Sequence, residues 1–548
     1  MIIKDELQNE LNKVITNIYD KNITIPVIIE KPPKPEFGDY ATTLPLLLAK
    51  ILKRSPKDIG EEIKRSLNLY YISTINVTDS GYLNFFLSRE YLESFIKEII
   101  ISEDLIFKTD KFNRKKALVE FISANPTGPV TVANARGGPI GDTISNLLNI
   151  NGYSVEREFY VNDVGSKIIK LANSVIYYYK NDLGIESEQP EEFYPGEYIK
   201  DIAKLLYNEF SDSLLKDQYD QNDLIKIGNF SLNKILESMK KDLSEININF
   251  DNWFMEHTLH DGFILETINI LKNNNFAYEA DGAVWFKSTN FGDDKDRVLI
   301  RSDKSPTYLA SDIAYHRKKF DRGYDLIVDI WGADQSHYKA LKYALEAIGC
   351  DTKKLQIVTF QLVHLFKNKI ELKMSKSTGD FIPLKELIDE IGPDLVRFIF
   401  LTRSNDSHLN FDMDVAKSKD PNNPVFYAQY AYTRCKGILR EAEKQNIIIK
   451  TEQADLSLLD SNEEDIILRK ISMMPDLVYK AFLDFSPNVI TNEIISFANL
   501  FHNFYEKCRV IGAPSPEIEK ARLALIVAME KIFSSLFKII GIKAPERM

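Results

Sequence analysis

The segment Leu118-Val119-Glu120-Phe121-Ile122-Ser123-Ala124-Asn125-Pro126-Thr127-Gly128-Pro129-Val130-Thr131-Val132-Ala133-Asn134-Ala135-Arg136-Gly137-Gly138 passes from one backbone periodicity to another. Its apolar start, Ala117 to Ile122, reads as a buried strand. Asn-Pro-Thr-Gly-Pro interrupts it, and Ile140, Ile144, Leu147 and Leu148 then recur at helical spacing. Strand, turn and helix in that order form the unit of an open parallel sheet. There, ligands bind beyond the carboxyl ends of strands, and a helix N-terminus offers unpaired N–H groups to phosphates. A nucleotide suits such a place; a tight α/β turn with no ligand fits the same residues.

A second stretch bears on that choice. Lys373-Met374-Ser375-Lys376-Ser377-Thr378-Gly379-Asp380 sets two ammonium groups three residues apart on a Ser- and Gly-bearing loop, which suits transient clamping of a polyphosphate. A solvated surface loop has the same composition.

Length and composition bound the remainder. A chain of 548 residues, 44% hydrophobic and 27% charged, is ordinary for a globular protein of about three or four domains. Cys350, Cys435 and Cys508 are far apart, with neither zinc spacing nor a disulfide framework, so a reducing compartment and no structural zinc are expected. The apolar runs fall short of a membrane span, and Asp5, Glu6, Glu10 and Asp20 argue against a signal or transit peptide, so the expected location is cytosolic. A net charge of −11 argues against a generally adhesive nucleic-acid binder while leaving room for local basic faces.

In chain order, Ile2 to Ile18 carries an amphipathic helical pattern, and Thr24 to Glu30 is strand-like. A Pro-rich turn, Lys31 to Thr42, leads into a helix over Thr43 to Leu52. Strands are expected at Ile75 to Val77 and Tyr82 to Leu87, completing an α+β unit. The nucleotide fold comes next, with a strand at Ser154 to Val161 ended by Asn162-Asp163-Val164-Gly165. A mostly helical, acidic insertion occupies Lys167 to Asn249. Gly282 to Phe286 and Val298 to Ile300 read as strands. Ser305 and Pro306 are helix-start residues that put Tyr308 and Asp312 on one helix face. Leu326 to Ile330 is a buried strand ending in Trp331-Gly332-Ala333-Asp334-Gln335, a second strand-end site. Beyond Gly379 the pattern is helical, over Leu384–Leu401, Val425–Glu441, Glu463–Phe485, Pro487–Glu506 and Ser515–Ile540, and predicts a closing bundle. From the residues alone, Asp312 reads equally as a surface salt-bridge partner and Tyr308 as a packed core side chain.

In order and well separated, the two loop motifs resemble the paired nucleotide motifs of class I aminoacyl-tRNA synthetases, His-x-Gly-His and Lys-Met-Ser-Lys-Ser. Phe398 to Ser404, Ser407 to Asp412, Tyr427 to Arg434, His502-Asn503-Phe504-Tyr505 and Pro545-Glu546-Arg547-Met548 resemble the connecting segment and anticodon-binding helices of arginyl-tRNA synthetases. The Pro-rich N-terminal unit resembles that family's own tRNA-contacting domain. The resemblance implies an α/β, Rossmann-type nucleotide-binding catalytic domain with an N-terminal α+β domain and a C-terminal all-α helical bundle. It implies tRNA contact by residues 1–108 and catalysis by 109–370, with an insertion at about 167–249. Residues 371–424 would then be the Lys-Met-Ser-Lys-Ser loop and connecting segment, and 425–548 the anticodon-binding domain.

Carried over residue by residue, Asn125 matches the position beside the amino acid's α-amino group. Glu256, Tyr308, Asp312 and Gln335 match the arginine side-chain pocket. Two carboxylates flanked by acceptors suit the rigid donor fork of a guanidinium better than an ammonium. Gly332, Asp334 and Gln335 match the segment beside the ATP ribose. Lys373 and Lys376, with Met374, Ser375 and magnesium ions on the triphosphate, would stabilise the departing pyrophosphate. His337, His364 and His408 read as structural. Tyr427, Tyr430 and Met548 are candidates for anticodon-loop contact, since unpaired bases are read by stacking; bundle core is an equal reading for either tyrosine.

The first motif departs from the family pattern. Thr131-Val132-Ala133-Asn134 stands where His-x-Gly-His is expected, so Thr131 and Asn134 would supply a hydroxyl and an amide donor, and Ala133 adds a methyl group beside the adenine. Gly137-Gly138-Pro139 falls where the family continues a helix, so the helix is expected to begin near Gly138. Two readings are open. One is an ATP-dependent ligase that joins L-arginine to the 2′-hydroxyl of the terminal adenosine of arginine tRNA through arginyl-adenylate, working as a monomer. The other is a catalytically impaired paralogue that binds tRNA or a partner. The intact second motif and arginine pocket favour the ligase.

Overall fold

The computed structural model describes residues 2–19, 25–102, 106–333, 338–372, 382–417, 423–447 and 454–547. The N-terminal unit sets helices Ile3–Ile18, Leu44–Leu52, Pro56–Ser66 and Arg89–Ile101 around an antiparallel sheet. That sheet consists of β1 (Tyr40–Thr42), β2 (Ile72–Val77) and β3 (Leu83–Leu87), with β3 in the middle. The segment read as strand-like before the Pro-rich turn does not form one. Among its described residues only Glu30 pairs, as a single bridge to Ala41.

Next come β4 (Lys116–Glu120), β5 (Ser154–Val161) and β6 (Asn252–Met255), then a small antiparallel sheet of β7 (Ala277–Ala280), β8 (Ala283–Phe286) and β9 (Arg297–Ile300). After them β10 (Leu326–Gly332) and β11 (Leu355–Phe360) return to the first sheet, giving five parallel strands in the order β11-β10-β4-β5-β6. Strand β4 lies at the centre with both faces covered. Val119 and Ala117 face the core shared with the helix Gly137–Ile150, and Leu118 faces the core shared with the helix Tyr308–Asp321. Burial on both faces is why this strand is a near-continuous apolar run without alternation.

Several local readings needed the tertiary structure. Strand β6 and hairpin strand β7 were not legible as strands. The helix over Tyr308–Asp321 is capped by Thr307, whose hydroxyl oxygen accepts from the Ala310 N–H, so it starts later than Ser305-Pro306 suggested. Leu384–Leu401 is two helices, Leu384–Ile391 and Pro393–Phe400, broken at Gly392 with φ 86°. A third small sheet joins β12 (Val363–Lys367) and β13 (Ile370–Leu372), which precede the region read as all-helical, to β14 (Leu409–Asp412), which lies within it. The helix expected over Glu463–Phe485 divides into Asn462–Ser472 and Met474–Leu483.

The closing bundle of Pro424–Lys444, Asn462–Ser472, Met474–Leu483, Asn488–Lys507 and Pro516–Ile540 packs back on both preceding units. Lys531 Nζ donates to the carbonyls of Ile100 and Ser102 at 2.6 and 2.7 Å, and Arg469 pairs with Asp39 at 2.7 Å. No described helix is long and apolar enough to cross a membrane.

Candidate active site

From β4 the chain winds to β5 and β6 on one side and to β10 and β11 on the other, which opens a crevice between the carboxyl ends of β4 and β10. The chain leaves β4 through two left-handed residues, Ile122 (φ 68°) and Ser123 (φ 43°). A β-branched residue pays a steric penalty there, so the surroundings must hold it. They do so through Ser123, whose Oγ donates to Glu120 Oε1 (2.7 Å) and accepts from the Tyr160 N–H (3.1 Å). Two residues on, Asn125 Oδ1 accepts from Lys167 Nζ at 2.9 Å, and the same ammonium lies 5.5 Å from the Tyr308 ring centroid. Asn125 and Tyr308, one at the end of β4 and the other at the start of a helix, therefore share one mouth. Tyr308 is 63% exposed, which removes the core reading for it.

Glu256 follows β6 and is 4% exposed. Its N–H donates to the Val161 carbonyl (3.0 Å), which fixes the turn, and the neighbouring His257 N–H donates to Asp163 Oδ1 at 2.9 Å. Glu256 Oε1 lies 3.4 Å from His260 Nε2, whereas Oε2 is buried with no hydrogen-bond partner among the described residues. A buried carboxylate oxygen without a well-aligned donor suits a cation from outside the chain, and within the chain the Tyr160 hydroxyl also hydrogen-bonds toward Glu256. Tyr160 lies in the field of both Glu256 and Asp312. Burial first, then those two carboxylates, push its hydroxyl far above the usual phenol range. Glu256, after β6, and Asp312, on the helix Tyr308–Asp321, thus both act on the Tyr160 hydroxyl.

The first loop motif forms a single helical turn, Val132–Ala135, capped by Thr131. The Thr131 hydroxyl donates to Asn134 Oδ1 (2.8 Å), which turns the Asn134 NH₂ away from Thr131, where it can donate to a ligand. Ala133 and Asn134 are half-buried beside it. The next helix starts at Gly137, near the expected Gly138, and Pro139 occupies its third position, where an N–H would have no intrahelical partner. The glycines here answer to packing: a Cβ on Gly138 would sit 2.7 Å from Ile248 Cδ1, and one on Gly141 2.3 Å from Phe121 Cγ.

Lys373, Met374, Ser375 and Lys376 lie outside the described residues, as do Asp334, Gln335, His337 and Met548. The described segment Ile382 to Leu384, just past the second motif, is stitched to the first. Thr131 bridges Pro383, the Val132 N–H donates to the Ile382 carbonyl (3.1 Å), and the Leu384 N–H donates to the Val130 carbonyl (2.7 Å). Gly332 ends β10 in register with Phe360, across the crevice from this turn. His364 Nδ1 pairs with Glu371 Oε1 at 2.6 Å and stacks obliquely on His408, away from any metal-type cluster.

Sequence reasoning missed a buried polar layer beneath the crevice. Lys319, fully buried, donates to Glu120 Oε2 at 2.5 Å and Asp329 Oδ1 at 2.6 Å, and His316 Nε2 bonds Asp329 Oδ2 at 2.7 Å. Beside it, Glu158 accepts from Tyr315 (2.7 Å), Asn252 (2.5 Å) and Arg322 (2.5 Å). The one available signal was a lone acid inside each of two apolar strands, Glu120 and Asp329. Arg136 was also missed. Buried next to the first motif, it donates to the carbonyls of Gln361, Ser407 and Ser404 at 2.7 to 3.0 Å, and burial depresses it to about 10.

In the bundle, the rings of Tyr427 and Tyr430 lie 4.4 and 5.7 Å from that of His502, all three half-buried. A cavity of about 700 Å³ opens near the crevice between the insertion helix Gln221–Glu245 and the turn Asp163–Ser166. Another of about 640 Å³ in the bundle is lined by Arg434, Tyr505, Lys507 and Arg509.

A central parallel sheet with the first loop motif at its switch point is the catalytic fold of the class I synthetases, and a family model for tRNA synthetases class I (R), catalytic domain, matches residues 95–407. Models for the arginyl tRNA synthetase N terminal domain and the DALR anticodon binding domain match residues 1–87 and 428–548. The chain is 40% identical to arginine–tRNA ligase 1 of Halalkalibacterium halodurans over 96% of its own length and 95% of the relative's. It is 38% identical to arginine–tRNA ligase of Bacillus subtilis over 100% and 99%. The Thermus thermophilus arginyl-tRNA synthetase structure superposes with a TM-score of 0.76 at 20% identity, covering both chains completely, which establishes likeness of fold. The chain belongs to the arginyl-tRNA synthetase family.

Proposed function

We propose that this chain activates L-arginine with ATP and transfers it to the 2′-hydroxyl of the terminal adenosine of arginine tRNA. The observation that carries the reading is the Oε2 of buried Glu256, which has no hydrogen-bond partner among the described residues, at a carboxylate that shares Tyr160 with Asp312. A guanidinium supplies the donor that Glu256 Oε2 lacks and has further N–H groups for Asp312, whereas a substrate without them would leave a buried acceptor unpaired. Asn125 takes the α-amino group by displacing Lys167, and Tyr308 and Gln335 close the pocket.

In this reading the substrate carboxylate attacks the ATP α-phosphorus, so the chain needs no nucleophile of its own and acts by positioning and charge stabilisation. Asn134, held by Thr131, donates to phosphate; Ala133, Gly332 and Asp334 border the adenosine; Met374 and Ser375 carry Lys376, which with Lys373 receives the charge of the leaving pyrophosphate. Among the described residues no cluster of three His, Cys, Asp or Glu side chains is arranged to hold a metal ion. In this reading magnesium enters with the triphosphate, where it neutralises phosphate charge.

We assign residues 1–108 and 425–548 to tRNA, with Tyr427, Tyr430 and Met548 at the anticodon loop, 109–370 to catalysis and 371–424 to coupling between them. A monomer working in the cytosol, where tRNA and ATP are found, completes the proposal. The impaired-paralogue alternative finds no support, because full-length similarity runs to arginine–tRNA ligases. The test is transfer of labelled arginine to arginine tRNA with ATP and magnesium, for the natural chain and for Lys376→Ala and Asn134→Ala. The natural chain is expected to charge tRNA and both variants to lose it by about a hundredfold or more. A natural chain that binds tRNA without charging it would overturn the reading.

A further inference from the structure

The arginine site proposed above is built from two segments far apart in sequence, and a single buried ammonium is bonded to both. On one side Lys319 Nζ donates to Glu120 Oε2 (2.5 Å). The other oxygen of Glu120 accepts from Ser123, which keeps the left-handed exit from β4 and so sets where Asn125 stands. On the other side Lys319 Nζ donates to Asp329 Oδ1 (2.6 Å). Asp329 Oδ2 is bonded to His316 Nε2 (2.7 Å), and His316 Nδ1 is bonded to the backbone carbonyl of Asp312 (2.7 Å). Glu120 and Asp329 are register partners on β4 and β10, the strands that frame the crevice. With Lys319 and Asp329 fully buried, and Glu120 and His316 nearly so, the tie is rigid and water does not compete for it.

We infer that Lys319 is a positioning residue that sets the separation between the α-amino end and the guanidinium end of the bound amino acid. The inference rests on the arginine reading above.

Length selection is the consequence. Arginine is held at both ends, so a homologue with one more methylene fits only if Asn125 and Asp312 can move apart, and Lys319 prevents that. The electrostatics agree: burial is opposed by Lys319 and His316, which hold the Asp329 carboxyl below its usual range, while burial wins at Glu120 and raises it. One ammonium therefore holds together two carboxylates that would otherwise repel.

The test uses the full-length chain with saturating ATP and tRNA, comparing arginine with homoarginine for the natural protein, Lys319→Met, and the double variant Lys319→Met/Glu120→Gln, which removes the unpaired charge should the single variant not fold. The natural protein charging arginine is the control for the underlying reading. In the variants the KM for arginine is expected to rise about tenfold with the KM for ATP nearly unchanged, and the ratio of kcat/KM for homoarginine to that for arginine to rise about fivefold or more. Lys319→Arg, which keeps both ion pairs, is expected to retain most of the discrimination. An unchanged ratio in a folded variant, with losses only in melting temperature or kcat, would overturn the inference and leave Lys319 a purely structural tie.

Discussion

Glu256 illustrates how little of a binding residue's role lies in its type. Acids are common after strands, and nothing in Phe254-Met255-Glu256-His257 separates this one from a surface carboxylate. Its role comes from burial to 4% exposure with an oxygen that no described donor reaches. Glu256→Gln is expected to lower kcat/KM for arginine by about a hundredfold or more, a loss of about 3 kcal/mol of charge-assisted pairing. The melting temperature should change little, because the altered oxygen has no hydrogen-bond partner among the described residues to lose. Aminoacylation at varied arginine concentration, with a parallel thermal melt, checks both halves. Asn134 makes the complementary point: its amide was legible as a donor replacing imidazole, but the Thr131 hydroxyl that orients it through Oδ1 required coordinates.

At the scale of elements, the helix Gly137–Ile150 shows why glycines unfavourable by helix propensity persist. Alanine at Gly141 should gain about 1 kcal/mol of propensity. Its Cβ, however, would stand 2.3 Å from Phe121 Cγ, at the strand exit that carries the site. Gly141→Ala is therefore expected to destabilise by about 2 kcal/mol net, read by denaturant unfolding, with a larger fractional loss of charging activity than of stability. In the insertion helix Gln221–Glu245, burial and then Glu245 push the Asp242 carboxyl up to about 6. An acid whose folded pKa is raised binds its proton more tightly folded than unfolded. Its contribution is therefore neutral below about pH 4, becomes a growing destabilisation between about pH 4 and 6, and is constant above that. Asp242→Asn should match the natural protein at pH 4 and exceed it by about 1 to 2 kcal/mol at pH 7.5, solvent screening having reduced the full effect. Melting curves across that range check it, and a gain that did not change with pH would contradict the argument. Helix boundaries such as Ser515 before Pro516–Ile540 were readable because caps are local. Strands β6 and β14 were not, because each is a short edge of its sheet whose pairing partner lies far along the chain.

Across the whole molecule, Arg397 gathers four segments at one buried point. It donates to the carbonyls of Ile540 (2.8 Å), Ile246 (2.7 Å) and Asn247 (3.1 Å) and to Asp142 Oδ2 (2.5 Å). It thereby joins the connecting helix, the end of the insertion, the last bundle helix and the helix that follows the first motif. Arg89 adds a second joint, donating to the Leu456 and Leu459 carbonyls at 2.7 Å each and so fastening the N-terminal unit to the bundle. Arg397→Leu strands these acceptors and is expected to cost about 3 to 5 kcal/mol. Calorimetry should show the bundle and the catalytic unit unfolding in separate transitions where the natural chain shows coupled unfolding. A single unshifted transition would mean that the apolar core alone couples them.

Local order along the chain was settled by neighbouring residues. The strand–turn–helix at Leu118 to Leu148, which includes the first loop motif, the helical insertion and the closing helices all arise from periodicity, caps and turn formers that act within a few positions. Convergence was not. That Lys319 meets Glu120 and Asp329, that Ile382 to Leu384 pair with the first motif, and that Glu256 and Asp312 both act on Tyr160 depend on which strands lie adjacent in the sheet. Adjacency arises from burying both faces of β4 at once, a constraint on the folded whole to which no short segment responds alone.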